Sequence, residues 1–377
     1  MATSALKMSV DVLDWAAREA GESLETLAGA VAKRKADRDR ILRGELTTGQ
    51  AEKVAKLAGV PFGFLFLDEP PKTVRAQIPD LRQRPNPSPL SADFFEVYED
   101  VLNKQEWYLQ HLREDGIGQR VEVVGRFSYA DRPDPSTVAI DMRSRLKLTP
   151  ADRANAGSTE GYFSLLSERA ENLGILVMKS GIVRSNTRRP LSTDEFLGFA
   201  LASRAAPIVF VNGRDYMVAT VFTLAHELAH IWLGESGVTD TPTTRARGLE
   251  RLCNQIAAEL LVPKAEFLAN WKDASSVDLL TARFRVSRWV IAIRALELGK
   301  IAQKECDSIL SQRFSKRASS GGDPFRTIPV RNSKRFTQEL VASAMSGHTL
   351  IRHAAALLSV RPDTVVALGG QRPSRSA

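Results

Sequence analysis

The stretch VFTLAHELAHIWLG, residues 221–234, decides how the rest of the chain is interpreted. Its apolar residues recur at three- and four-residue steps, which predicts a buried helix that ends at Gly234. His226 and His230 are four residues apart, so on this helix both imidazoles lie on one face and can bind one ion. Glu227 lies about 100° round the helix from His226, where its carboxylate can reach a water on that ion. This spacing is typical of zinc hydrolases.

The H-E-x-x-H pattern also has an ordinary explanation. With five histidines in 377 residues it can arise by chance, as two core or surface histidines one helical turn apart. Another alternative is a purely structural zinc site, which would need four protein ligands and no open position. Cys253 is the nearby side chain that could supply the fourth donor.

A zinc site in an enzyme needs a third protein ligand and an open position for water. Glu250 and Glu259 are the candidates, on a helix predicted over 246–261 and closed by Pro263. Glu250 shares a face with Asn254, whose amide oxygen could accept the second ring N–H of a metal-bound histidine. Glu259 points nearly the opposite way and is expected to be a solvent-facing charge. Glu250 is therefore the preferred third ligand, with Glu259 as the alternative.

Longer segments carry a family resemblance. They are IVFVNGRDYMVATVFTLAHELAHIWLGESG (208–237), LERLCNQIAAELLVP (249–263), SGIVRSNTRRPLSTDEFLGFAL (180–201), IPDLRQRP (78–85) and KQEWYLQHLREDG (104–116). Together they resemble the ImmA/IrrE family of metallo-endopeptidases, in its long form with an N-terminal XRE-type helix-turn-helix domain. The separation of twenty positions from His230 to Glu250 also resembles the gluzincin arrangement, with Asn254 standing where gluzincins have Asp.

This resemblance implies an activity and a class of partner. It implies a zinc-dependent endopeptidase in which His226, His230 and Glu250 hold Zn²⁺ and Glu227 is the general base. The implied substrate is a regulatory protein, either a repressor or an antitoxin-like protein, and a toxin could be a further partner. The alternative function is a DNA-binding regulator or antitoxin whose zinc site is structural or docks a partner.

The predicted fold is mainly α with a small β-sheet (α+β). Four regions are expected: a helix-turn-helix domain (1–74), a connector with a long helix (75–155), a minimal gluzincin-like zinc peptidase domain (156–272) and a C-terminal helical region (273–377). Strands are predicted around 175–178, 196–200 and 208–211. The last of these, placed as an edge strand before the zinc helix, could pair with an extended substrate. Asp215 is the expected N-cap of that helix.

The N-terminal region reads as four or five short helices over 9–68, the third of them basic. This arrangement suits a recognition helix that contacts phosphates and base edges of DNA. Asp37 and Asp39 interrupt the basic stripe, so a protein-docking module is the alternative. The possible DNA-binding residues are Lys33, Arg34, Lys35, Arg38, Arg40 and Arg43.

Composition narrows the class of protein. A net charge of +8 and a pI of about 9.6 favour a polyanionic partner. Only Cys253 and Cys306 are present, so a disulfide framework is excluded. Asp11 and Asp14 occupy the place of a signal-peptide core, and no apolar run is long enough to span a bilayer. We therefore expect a cytoplasmic protein with no membrane partner.

Overall fold

A computed structural model of the chain has two compact units, Met1–Ala76 with Pro89–Glu96 and Gln77–Ser88 with Val97–Ala377. It describes residues 6–19, 22–58, 60, 62–70, 81–82, 90–114, 116, 120–235, 244–310 and 323–370. The beginning of the predicted connector, residues 75–89, lies outside the described residues apart from Leu81 and Arg82. Helices dominate and small sheets accompany them, so the predicted α+β class is confirmed.

The first unit packs short helices on an apolar core of its own. Its elements are β1 (Leu6–Lys7), α1 (Val10–Glu19), α2 (Leu24–Val31), α3 (Lys35–Leu42), β2 (Glu45–Leu46), α4 (Thr48–Ala58) and a 3-10 turn (Phe62–Phe66). Helix α2 begins after Ser23, whose hydroxyl accepts a hydrogen bond from the Thr26 amide at 3.2 Å. β1 and β2 form a short antiparallel pair that brings Leu6 opposite Leu46.

The second unit contains the remaining strands and most of the helices. Its strands are β3 (Leu81–Arg82), β4 (Leu176–Ser180), β5 (Ile182–Val183), β6 (Asn186–Pro190), β7 (Gly198–Leu201) and β8 (Ile208–Asn212). The helices before and around the sheet are α5 (Ala92–Glu114), α6 (Pro135–Arg145), α7 (Pro150–Asn155), α8 (Thr159–Asn172), α9 (Met217–Leu233) and α10 (Thr244–Leu261). The first five residues of α5 belong to the first unit.

After α10 the described chain consists of helices joined by turns, without a strand. They are α11 (Lys264–Asn270), α12 (Val277–Phe284), α13 (Arg288–Glu297), α14 (Gln303–Leu310), α15 (Pro324–Asn332), α16 (Lys334–Met345), α17 (Ile351–Leu358) and α18 (Pro362–Gly370). Between α12 and α13 the chain turns through Arg285, which has a φ of 56°. The Ser287 hydroxyl then caps α13 by accepting from the Val290 amide at 3.2 Å.

The main sheet has the strand order β3-β7-β8-β4. β8 pairs in parallel with β4 and antiparallel with β7, while β7 also pairs antiparallel with β3. The prediction that 208–211 is an edge strand is therefore wrong, because β8 lies inside the sheet. All five of its residues are buried, as expected for a strand covered on both faces. The β5–β6 hairpin was not predicted.

Helix α9 packs across β7 and β8, with α8 and α10 beside it. It begins after Tyr216, which occupies the N-cap position without a side-chain cap. The prediction that Asp215 is the N-cap is wrong. Its carboxylate accepts a hydrogen bond from the adjacent Tyr216 amide at 2.9 Å instead. Among the residues that the structure describes, no helix is both long and apolar enough to cross a membrane.

Candidate metal centre

The C-terminal end of α9 is fixed by the chain segment 121–128. The amides of Gly125 and Phe127 donate to the carbonyls of Ile231 and Trp232, each at 3.0 Å. These carbonyls belong to the last turn of the helix, where intrahelical donors are missing. Gly234 then ends α9 with a φ of 67°, and a Cβ there would lie 2.6 Å from the Gly125 Cα. The two glycines let the backbones meet and hold the helix in place.

Three side chains converge between α9 and α10. His226 Nε2 and His230 Nε2 lie 3.2 Å apart. The Glu250 carboxylate oxygens lie 3.2 Å from His226 Nε2 and 3.0 Å from His230 Nε2. Donors held at 2.0–2.1 Å from one tetrahedral ion would be separated by roughly 3.3 Å, so this spacing fits zinc. Within the described ranges, these three residues form the one group with metal-binding donors close together, and Cys253 is not part of it.

Asn254 orients one of the imidazoles. Its side-chain oxygen lies 3.1 Å from His226 Nδ1, one turn beyond Glu250 on the same face of α10. If Nδ1 carries the proton and donates it to this oxygen, the Nε2 lone pair points at the cluster. The residue pair selected by helical spacing therefore reaches the histidines together. Cys253 is buried beside His230, and burial raises the pKa of its thiol.

Glu227 lies on the side of α9 that faces the sheet and has no exposed surface. A Cβ added to Gly198 of β7 would lie 3.0 Å from Glu227 Oε1 and 2.7 Å from Thr223 Cγ2. Only a glycine at this position lets β7 approach the carboxylate so closely. His226 and His230 are also buried, whereas the Glu250 side chain keeps 27% of its surface exposed. The cluster thus combines a buried carboxylate beside the donors with a solvent-exposed edge.

Electrostatics favour positive charge at this cluster. Burial alone would raise the pKa of the Glu250 carboxyl, but the two imidazoles hold that pKa well below its usual range. Burial alone would lower the pKa of His230, yet Cys253, Glu250 and Glu227 raise it well above its ordinary value. Both shifts have one cause, the attraction between carboxylate and imidazolium, so the carboxylates favour positive charge among these donors, as a bound divalent cation would supply. The donor set therefore fits a zinc ion in charge as well as in spacing.

Comparison with known families agrees with this geometry. Residues 170–296 match the family model of the IrrE N-terminal-like domain, which describes peptidases. This IrrE-like domain begins in α8, ends in α13 and contains His226, Glu227, His230 and Glu250. Residues 332–371 match a second family model, described as a domain of unknown function. No curated protein and no solved structure matches the chain.

The second candidate ligand, Glu259, lies in the IrrE-like domain but away from the cluster. Its carboxylate forms an ion pair with Arg294 of α13 and accepts from the Lys264 amide at 3.1 Å. The expectation that Glu259 is a solvent-facing charge is wrong, because only 8% of the residue is exposed. Nothing in the local sequence around Glu259 indicated its partner, which lies on a different helix.

The predicted DNA-binding residues lie on and beside α3 in the first unit. Lys33, Arg34, Lys35, Arg38 and Arg43 are exposed. The Arg38 guanidinium also donates to the Lys33 carbonyl at 2.8 Å. Arg40 is half-buried and lies 3.5 Å from the Glu45 carboxylate, which neutralises part of its charge. The unit therefore carries a basic surface that is strongest before and at the start of α3.

Proposed function

We propose that the chain is a zinc-dependent endopeptidase. The observation that carries this proposal is the convergence of two imidazoles and one carboxylate within 3.0–3.2 Å, beside a buried second carboxylate. His226, His230 and Glu250 would hold the ion, and Asn254 would keep His226 in the tautomer that binds it. A zinc ion held there would lower the pKa of its bound water to roughly 7, far below that of bulk water, and would polarise a carbonyl.

Glu227 would move the proton. Its carboxylate lies beside the donor cluster and is not one of the three donors, so it remains available as a base. One Glu227 oxygen takes the proton from the attacking water, and the same group gives it to the nitrogen of the leaving amine. The surrounding side chains exclude bulk water from this carboxylate, which keeps the transferred proton within the site.

The substitution Glu227→Gln tests the role of this carboxylate. It keeps the size and polarity of the side chain but cannot accept the proton, so we expect hydrolysis to fall about 10²- to 10⁴-fold. Bound zinc, measured by mass spectrometry of the metal, should remain one per chain, whereas Glu250→Ala should lose it. His353→Ala removes an exposed histidine elsewhere and should change neither quantity. Wild-type hydrolysis by Glu227→Gln would contradict the proposal.

The proposed substrate is a repressor or antitoxin-like regulator, cleaved to end its action. Its identity can be sought by comparing intact protein levels and new N-termini across the proteome when wild type or Glu227→Gln is expressed. A regulator cut by this site should lose its intact form only with the wild type. If biological activity is the same for both proteins, the alternative of a regulator or antitoxin with a structural or partner-docking zinc site is favoured.

We also propose that the first unit binds DNA. The supporting observation is the exposed basic group Lys33, Arg34 and Lys35, which leads into α3 of a helical pair formed by α2 and α3. Such a pair can place its second helix against phosphates and base edges. A peptidase attached to a DNA-binding unit would meet its substrate where a repressor is bound.

A further inference from the structure

Strand β7 comes close to the proposed base Glu227. Gly198 of β7 is the residue whose added Cβ would come within 3.0 Å of Glu227 Oε1. β8 is paired on both sides and has no backbone groups left for another strand. An extended peptide that reaches Glu227 by strand addition must therefore pair with the other edge of β7.

That edge of β7 is already paired. β3 lies antiparallel to it, with Arg82 opposite Gly198 and Leu81 opposite Phe199. Neighbouring strands are about 4.8 Å apart, so the backbone at Arg82 is one strand spacing from Gly198, the glycine beside Glu227. A segment that precedes α5 in the chain thus occupies the position next to the proposed base.

We propose that β3 is an internal competitor of the substrate: it occupies the β7 edge on which an extended substrate backbone pairs during cleavage. This inference rests on the proposed endopeptidase function. The substrate would replace Leu81 and Arg82 on β7, exchanging one set of main-chain hydrogen bonds for another. Since only two residues of β3 are paired, the exchange requires little free energy compared with removal of a long strand.

The competitor should act on substrate affinity and leave the chemical step unchanged. A tethered segment competes at an effective concentration in the millimolar range, whatever the protein concentration. Removing it should lower KM about tenfold with kcat unchanged, because β3 contributes no group to the donor cluster. A variant that merely damaged the fold would instead lower kcat or the zinc content.

The direct test measures binding without cleavage. The probe is a fluorescein-labelled peptide with the sequence of residues 77–88, QIPDLRQRPNPS. It is titrated by fluorescence anisotropy into Glu227→Gln protein with and without Leu81→Pro/Arg82→Pro, which removes both backbone donors of β3. The matched control, Asn86→Pro, adds a proline to the same segment but at neither paired residue. We expect about tenfold tighter binding when β3 is unpaired, and no change for the control.

Two further measurements distinguish the loss of β3 pairing from general misfolding of the variants. Leu81→Gly/Arg82→Gly weakens the strand without proline and should change binding in the same direction by a smaller factor. In both variants the β7 amides that face β3 should lose protection from hydrogen exchange and regain it when the peptide is added. Equal binding to all the proteins, or unchanged exchange in β7, would overturn the inference.

Hydrolysis of labelled casein by wild type, by Glu227→Gln and by the β3 variants with Glu227 intact separates the two proposals. One outcome is that wild type cleaves casein while the β3 variants have the same KM and the same peptide affinity as wild type. In that case the proposal that β3 competes with substrate is wrong, and the proposed endopeptidase function is unaffected. If Glu227→Gln cleaves as well as wild type, the proposed endopeptidase function is wrong. The proposal that a substrate pairs with the β7 edge then fails with it. A lower KM together with tighter peptide binding supports both.

Discussion

At the residue scale, Gly198 is the position where close packing of a strand affects the proposed general base, Glu227. A Cβ at this residue would lie 2.7 Å from Thr223 Cγ2, 2.9 Å from the Phe210 carbonyl oxygen and 3.0 Å from Glu227 Oε1. The carbonyl belongs to the neighbouring strand and cannot move without disturbing the sheet. A methyl group here must therefore displace Glu227, Thr223 or β7 itself.

We expect Gly198→Ala to destabilise the protein by about 1–3 kcal/mol, the usual cost of overpacking. We also expect it to lower kcat, with a smaller effect on KM. Urea unfolding and steady-state kinetics with the same substrate measure the two effects. Gly213→Ala, at a glycine just after β8 that lies close to the backbone of Ser180 and Gly181, is a control for the cost of crowding alone. A Gly198→Ala protein with unchanged kcat would show that Glu227 tolerates the displacement.

Lys179 offers a pH-dependent prediction at the same scale. Its Nζ lies 4.4 Å from the centre of the Phe163 ring and 3.3 Å from Met217 Sδ, and burial lowers its pKa to about 8. The unfolded chain binds this proton up to a pH of about 10.4, so between pH 8 and 10 stability should rise with pH. Below pH 8 the buried charge reduces stability in full.

Lys179→Met should therefore stabilise the protein at pH 7 by on the order of 2 kcal/mol and remove this rise. Urea unfolding of wild type and variant at several pH values between 7 and 9.5 measures the difference. Lys304→Met removes an exposed lysine and should leave the pH dependence unchanged. Parallel curves for wild type and Lys179→Met would contradict the lowered pKa.

The part of the candidate site that could be predicted from sequence is the part set by spacing along single helices. His226, Glu227 and His230 lie on one helix, so their relative directions follow from sequence spacing alone. Glu250 was preferred because it shares a helical face with Asn254, and the structure brings both to the histidines. Gly198 and the β7 edge gave no such signal, because their importance depends on which strands become neighbours.

At the element scale, three arginines from three helices meet the C-terminal end of α10. Arg143 donates to the Glu259 carbonyl at 2.7 Å, Arg153 to the Leu261 carbonyl at 3.4 Å and Arg294 to the Val262 carbonyl at 3.3 Å. Carbonyls at a helix end lack intrahelical donors, and positive charge there is favourable. These contacts connect α6, α7 and α13 to the helix that carries Glu250. Contacts between residues so distant in sequence leave no local pattern.

We expect Arg294→Met to destabilise the protein by about 3–5 kcal/mol, because it leaves the buried Glu259 carboxylate without its partner. Adding Glu259→Gln removes that charge and should restore most of the loss, since glutamine can still accept from the Lys264 amide. Urea unfolding of the two single variants and the double variant measures the coupling. Additive losses would show that the carbonyl contact, rather than the ion pair, carries the stabilisation.

At the scale of the whole molecule, each compact unit has a separate hydrophobic core. The strands β4, β7 and β8 were predicted, but the short strands β1, β2 and β3 were not. The strand pairing was not predicted either, since the order β3-β7-β8-β4 joins segments far apart in sequence. The net charge of +8 likewise identifies no particular surface. DNA binding by the basic residues at α3 must therefore be distinguished from non-specific binding through the overall positive charge.

Salt dependence distinguishes a defined DNA surface from general basicity. Binding of the full chain to a 20-base-pair duplex, followed by anisotropy over a salt series, should weaken by about 0.9 log unit per log of salt for each phosphate contact. Alanine substitution of Lys33, Arg34 and Lys35 should reduce this slope by up to about 2.7. The control removes three exposed positive charges from the second unit: Lys304, Arg352 and Arg361. Both triple variants have the same net charge, so equal loss of slope would mean that α3 is not the DNA-binding surface, whereas loss confined to the first variant assigns the contacts to it.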